Sequence, residues 1–193
     1  ASGQLADVQN AYGNAGYDLD AEAILLCESD GTPEEVDEEM ARMTEVLKHS
    51  GASGIRVSQN ETERLKFWAG RKAAFPAVGR ITPDYLCMDG TIPRKNLARM
   101  LIAIAEMEQR YGLRCANVFH AGDGNLHPLI MYDANVPGQL EVATSFGGEI
   151  LELSVALGGS ITGEHGVGVE KIAQMCAQFS PAELEVFHAL KRA

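Results

Sequence analysis

Apolar positions along this chain recur with two periods, and the switches between them outline an alternation of helices and strands. Between Thr32 and His49 the apolar residues Val36, Met40, Met43 and Leu47 fall three and four apart, the spacing of one helix face. Thr32, Pro33 and Glu35 supply an N-cap, a first-position proline and a capping box, while Gly51 and Gly54 end the element. Glu61 to Phe75 reads as a helix stopped by Pro76. Lys95 to Tyr111 reads as a long amphipathic helix with Leu97, Leu101, Ile104 and Met107 on one face, closed by Gly112. Gly138 to Leu157 is another, ended by Gly158-Gly159; one more starts near Val169, and Ser180 to Glu183 is a second capping box opening the last. The short apolar runs at Glu22–Glu28, Ile55–Val57 and Tyr85–Met88 read as strands, the last followed by a turn at Asp89-Gly90. Cys115 to Tyr132 reads as strand–turn–strand, and Ser160 to Gly168 as a strand turning into a loop.

The hairpin implies antiparallel pairing, which favours an α+β sandwich, an antiparallel sheet covered by helices, over a purely parallel sheet. The order of elements fits two similar halves, although no residue-level repeat marks a duplication. Residues 1–20 show no period and read as a leader or linker, leaving 21–193 as the folded domain. The chain has no initiator Met and stops at Lys191-Arg192-Ala193 inside an apparent helix, as expected of a truncated fragment of a longer protein.

Composition narrows the partners. A net charge of −11 over 193 residues makes nucleic acid and anionic membranes poor candidates. No apolar run approaches the roughly 20 residues needed to span a bilayer. Residues 1–20 carry neither the basic nor the apolar segment of a secretory signal. Cys27, Cys87, Cys115 and Cys176 form no CxxC pair and read as buried or half-buried free thiols in a reducing compartment.

The candidate chemistry sits in two glycine-rich segments, His120 to His127 and Thr162 to Gly168. Asp123-Gly124 is the signature of a two-residue type I′ turn. With that turn, His120 pairs directly with His127 on one face, with Cβ atoms about 5 Å apart, close enough to share a divalent ion. Glu164 is the best third ligand, and a His, His, Glu set leaves an open coordination position, the catalytic pattern. His165 could then serve as general base. The residues alone leave other readings open: hydrogen-bonded polar histidines in the hairpin, or an anion nest at the glycines.

Residues 117–128 (Asn-Val-Phe-His-Ala-Gly-Asp-Gly-Asn-Leu-His-Pro) and 159–172 (Gly-Ser-Ile-Thr-Gly-Glu-His-Gly-Val-Gly-Val-Glu-Lys-Ile) resemble the C-terminal half of the FAD-linked oxidases of the vanillyl-alcohol oxidase type. Trp68 to Lys72, Gly79 to Ile81 and Asp84 to Arg94 resemble the glycolate oxidases, with D-lactate and D-2-hydroxyglutarate dehydrogenases as relatives. The likeness covers roughly residues 15–193. It implies a ferredoxin-like α/β sandwich with duplication, a substrate domain that caps FAD held mainly by an N-terminal domain outside this sequence. It implies a FAD-dependent 2-hydroxy-acid oxidoreductase that passes hydride from glycolate to flavin.

By the same likeness His120, His127 and Glu164 correspond to metal ligands, with Zn²⁺ the first candidate and Mn²⁺, Fe²⁺ or Co²⁺ open. His165 would take the hydroxyl proton, Arg71 would bind the substrate carboxylate, and Asn125 would contact flavin or substrate. The implied partners are a small 2-hydroxy acid, the FAD domain of the same full-length chain and other glycolate oxidase subunits. The implied location is cytoplasmic, with partner subunits supplying any membrane association. Cys87 takes the place of a lysine found in relatives acting on dicarboxylic substrates, which favours a small monocarboxylic acid. The flavin-binding half is absent from the sequence, so the fragment alone is expected not to turn over. A metal-dependent hydrolase and a non-catalytic α/β interaction module are the alternatives.

Overall fold

A computed structural model describes residues 16–18 and 20–193, so the expected leader over 1–20 lies almost wholly outside the described residues. The chain divides into two compact units, with the boundary between Ala77 and Val78.

In the N-terminal unit, α1 (Pro33–His49) starts as the capping box predicts. The Thr32 hydroxyl accepts from the Glu35 N–H, and the Glu35 carboxylate accepts from the Thr32 N–H. α2 (Glu61–Lys72) is capped by the Asn60 carboxamide, which accepts from the Glu63 N–H at 3.0 Å. The helix expected to run to Phe75 ends at Lys72, and α3 (Ala74–Ile81) begins two residues on. Pro76 does not stop a helix. It lies in the first turn of α3, where a missing N–H breaks no intrahelical bond. The runs Glu22–Glu28 and Ile55–Val57 are irregular rather than strands. A strand needs a neighbour to take its N–H and C=O groups, and no ladder partner is present among the described residues. Leu25 and Val57 are correspondingly exposed.

The C-terminal unit is α+β, with antiparallel sheets flanked by helices. β1 (Asp84–Cys87), β3 (Cys115–Asn117) and β5 (Pro128–Tyr132) form one sheet in the order β1-β5-β3. β2 (Gly90–Thr91) pairs with β4 (Asn125–Leu126) in a second, two-stranded sheet. The registers interlock: Cys87 pairs with Leu129 and Gly90 with Leu126, so the β1–β2 connection faces the β4–β5 connection. α4 (Leu97–Tyr111) and α5 (Gln139–Ala156) contribute the helical side of the core. Met100, Ile104 and Met107 are the buried residues of α4. Met100 takes the place expected for Leu101, which is half-buried. They meet Phe146, Ile150 and Leu151 of α5 and Leu86, Leu126 and Ile130 of the sheets. The Phe146 ring stacks on Tyr111, with centroids 5.1 Å apart.

The segment expected to begin as a strand at Ser160 makes a single bridge, Thr91 to Ser160, and is irregular beyond it. The helix expected near Val169 starts at Ile172 as a 3₁₀ turn and continues as α6 (Met175–Gln178). α7 (Pro181–Arg192) opens on the second capping box. Among the described residues no helix is long and apolar enough to cross a membrane.

Candidate active site

The His120–His127 hairpin is wider than a two-residue turn. His120 pairs with Asn125, and Asn117 with Pro128, so residues 121–124 form a four-residue loop. The His120 N–H donates to the Asn125 carbonyl at 3.0 Å, and the Asp123 N–H donates to the His120 carbonyl at 3.0 Å. The expected direct pairing of His120 with His127 is therefore off by two residues. β2 and the residue after it hold this register: Thr91 pairs with Asn125, and the Ile92 N–H donates to the Gly124 carbonyl at 2.9 Å. Gly124 is left-handed (φ +74°), and a Cβ there would overlap the Ile92 carbonyl oxygen. Side chains alternate along a strand, so a slip of two leaves both histidines on one face, as diagonal rather than direct neighbours. Their ring centroids lie 5.3 Å apart, nearly perpendicular.

Glu164 and His165 come to these histidines from the irregular segment after Ser160. Glu164 Oε1 lies 2.7 Å from His127 Nε2, 3.5 Å from His165 Nε2 and 4.0 Å from His120 Nε2. The His165 ring stacks on His127 at 5.0 Å. His127 is buried, whereas His120, Glu164 and His165 are each about half exposed. Thr91, His120, Asp123, Asn125, Gly163 and Glu164 line an open cavity of about 310 Å³. Asn125 is buried, and its Oδ1 has no hydrogen-bond partner among the described residues. Gly163 backs that carboxamide so closely that a Cβ would overlap it.

The sequence reading missed Asp89 and Lys171. Asp89 is wholly buried under the loop, accepts from three consecutive backbone N–H groups (Gly163, Glu164 and His165), and pairs with buried Lys171. Burial alone would raise its pKa, but those N–H donors and the lysine outweigh it and hold the carboxyl at about 2. The His127 pKa is also lowered, which for a base favours the neutral form: burial lowers it, against the opposing pull of Glu164. A neutral imidazole is the form that binds a cation. In the sequence Asp89 shows only as half of an Asp-Gly turn pair within the Asp84–Arg94 segment, with nothing to mark it as buried.

His120, His127 and Glu164 thus converge as the motifs suggested, with donor atoms all within 4.8 Å of one another. Asp89, His127 and His165 form a second such group. Arg71 belongs to the N-terminal unit, half-buried in the last turn of α2, where its charge acts on the Tyr17 hydroxyl. None of the four cysteines is in a disulfide, but Cys27 and Cys176 are exposed rather than buried. Burial pushes the half-buried Cys87 thiol up to about 12 and the buried Cys115 thiol well above its ordinary value, so neither is a ready thiolate.

A buried imidazole in contact with a carboxylate that lines an open cavity is an arrangement able to hold a cation or move a proton on an α+β domain, and sequence comparison gives that domain a lineage. The family "FAD linked oxidases, C-terminal domain" matches residues 3–193, and the chain belongs to it. It is 61% identical over 180 residues to the glycolate oxidase subunit GlcD of Escherichia coli (strain K12), covering 93% of this chain and 36% of that protein. It is 34% identical over 182 residues to the subunit GlcD of Bacillus subtilis (strain 168), covering 94% of this chain and 39% of that protein. A D-lactate dehydrogenase of Anaerostipes hadrus is 26% identical over 194 residues, 97% of this chain and 41% of its own length. The chain therefore spans well under half the length of these relatives.

Proposed function

We propose that this chain is the substrate- and metal-binding domain of a FAD-dependent 2-hydroxy-acid oxidoreductase, with glycolate as the favoured substrate. The observation that carries the reading is the buried His127 with its Nε2 2.7 Å from Glu164 Oε1, flanked by His120 and His165. Family membership favours this reading over a hydrolase or an interaction module.

The donor set fits a divalent ion. Ligand bonds of about 2.1 Å need donor atoms about 3 to 4 Å apart. The Glu164 oxygen lies 2.7 Å from one imidazole and 4.0 Å from the other, a difference that small side-chain adjustments remove. His120, His127 and Glu164 would hold the ion, Zn²⁺ first by the chemistry of the donor set. A metal bound there would supply polarisation of the substrate hydroxyl, and a bound flavin would supply the hydride acceptor. The FAD would be held mainly by the part of the protein outside this sequence.

The chain's own residues do the rest. His165, a half-exposed ring stacked on His127 with its Nε2 3.5 Å from Glu164 Oε1, would accept the hydroxyl proton. Asn125, which lines the cavity and whose buried Oδ1 has no hydrogen-bond partner among the described residues, would contact substrate or flavin. Arg71 offers a two-pronged contact to the substrate carboxylate. Other glycolate oxidase subunits would complete the assembly.

Metal analysis together with glycolate-dependent flavin bleaching in the full-length protein tests this assignment. His127→Ala and Glu164→Gln should lose both metal and flavin reduction. His165→Ala should keep the metal and lose kcat, and Arg71→Ala should mainly raise KM. A His165→Ala protein that loses metal while His120→Ala retains it would exchange the ligand and base roles. A metal-free wild type that still oxidises glycolate would sink the metal assignment. The isolated chain should show no turnover.

A further inference from the structure

The segment that carries Glu164 and His165 has neither strand nor helix, yet it holds both side chains against the buried His127. We infer that the buried Asp89–Lys171 pair is the positioning element of the centre, fixing the backbone of residues 163–165 so that Glu164 is aimed before any ion binds. The inference rests on the metal reading above and concerns residues outside the proposed ligand set.

Both oxygens of Asp89 are occupied by this one loop. Oδ1 accepts from the Gly163 N–H and, at 3.3 Å, from the Thr162 hydroxyl. Oδ2 accepts from the Glu164 N–H at 2.8 Å and from the His165 N–H. Consecutive N–H groups converging in this way form a nest that ordinarily captures a soluble anion. Here the chain fills it with its own carboxylate. Lys171 closes the far side of the loop, donating to the Asp89 carbonyl at 2.9 Å and to Oδ1 at 3.3 Å. With five donors on two oxygens, Asp89 has no lone pair left for an ion shared with His127 and His165, so that second group is not a second metal site.

The placement in the strand frame gives the pair its function. Asp89 lies between β1 and β2, whose partners β5 and β4 flank His127. A single side chain therefore ties the peptide of Glu164 to the hairpin of His127. A buried ion pair is often replaceable by apolar residues without loss of stability. What the carboxylate adds here is a directional hold on three N–H groups that an apolar side chain cannot supply.

The test is Co²⁺ and Zn²⁺ binding to the full-length protein, with the d–d absorption spectrum of Co²⁺ reporting geometry and thermal melting reporting fold. Outer contacts of this kind affect metal affinity by about 10- to 100-fold. Asp89→Asn should weaken Co²⁺ binding within that range and alter its spectrum while the protein stays folded. If Asp89→Asn alone unfolds because Lys171 is left without its counter-charge, Asp89→Asn/Lys171→Met removes both charges and should show the same loss. Glu164→Gln is the control for the metal assignment. Wild-type affinity and spectrum in Asp89→Asn or the double variant, with Glu164→Gln deficient, overturns the positioning role alone. A wild-type protein that binds neither ion, or a Glu164→Gln protein that binds both normally, overturns the metal reading and this inference with it. Metal loss that only tracks loss of folded protein also overturns the positioning role.

Discussion

The two units of this chain use the same helix signals to different depth. α1, in the N-terminal unit, has a complete capping box and an apolar stripe at Val36, Met40, Met43 and Leu47, yet none of its residues is fully buried. α5, in the C-terminal unit, lacks a side-chain cap, and Ala143, Phe146, Gly147, Gly148, Ile150, Leu151 and Ser154 are all buried. Local capping thus specifies where a helix starts, while the strands it meets decide whether it becomes core. Only the C-terminal unit has a ladder among the described residues, and that unit holds the histidine cluster.

Packing mutations should separate the units most. Phe146→Ala removes a fully buried ring stacked on Tyr111 and should cost about 3 to 5 kcal/mol in denaturant unfolding. Met40→Ala on the half-buried face of α1 should cost less than half as much, and equal costs would break the contrast.

Acid comes next. The Asp89 carboxyl is held at about 2 against its ordinary 3.8. Its folded pKa is depressed, so its stabilising contribution is complete above pH 3.8 and is lost as pH falls through about 2. The exposed Glu35, whose pKa is lowered by hydrogen bonds from Thr32, should contribute far less. Acid titration followed by near-ultraviolet circular dichroism should therefore show Asp89→Asn flattening the lower end of the curve, and Glu35→Gln leaving it nearly unchanged.

Backbone substitutions make a smaller, local difference. Gly124→Ala places a Cβ at φ +74° against the Ile92 carbonyl and should destabilise the protein by about 1 to 3 kcal/mol. Hydrogen exchange would localise the damage to β2 and the His120–Asn125 loop. The smallest effect belongs to α1: Thr32→Ala should cost about 1 kcal/mol by thermal melting. A larger cost would mean that the cap helps hold more than its own helix.

How legible each part was follows from the range of the interaction behind it. The capping boxes at Thr32 and Ser180 were readable because the partners lie three residues apart. The failed strands at Glu22–Glu28 and Ile55–Val57 were not, because an apolar run carries no information about whether a partner strand exists. Pro76 was misread because proline breaks a helix interior but suits a first turn, and only the structure shows where the turn begins. At the site, His120, His127, Glu164 and His165 were visible as residue types among glycines. Their convergence survived a wrong register because the error was an even number of residues. Asp89 and Lys171 were hidden because their partnership joins positions 82 residues apart.

The sequence by itself determined the capped helix starts at Thr32 and Ser180, the presence of the hairpin and the residue types of the histidine cluster, since each rests on residue type and spacing over a few positions. The tertiary structure alone decided the register of the hairpin, which apolar faces became core, and which carboxylate is buried beneath the Glu164 loop. Those outcomes depend on β2 gripping Gly124 and on Asp89 meeting three N–H groups from a distant segment. No local pattern encodes a contact whose two halves are brought together only when the sheets close.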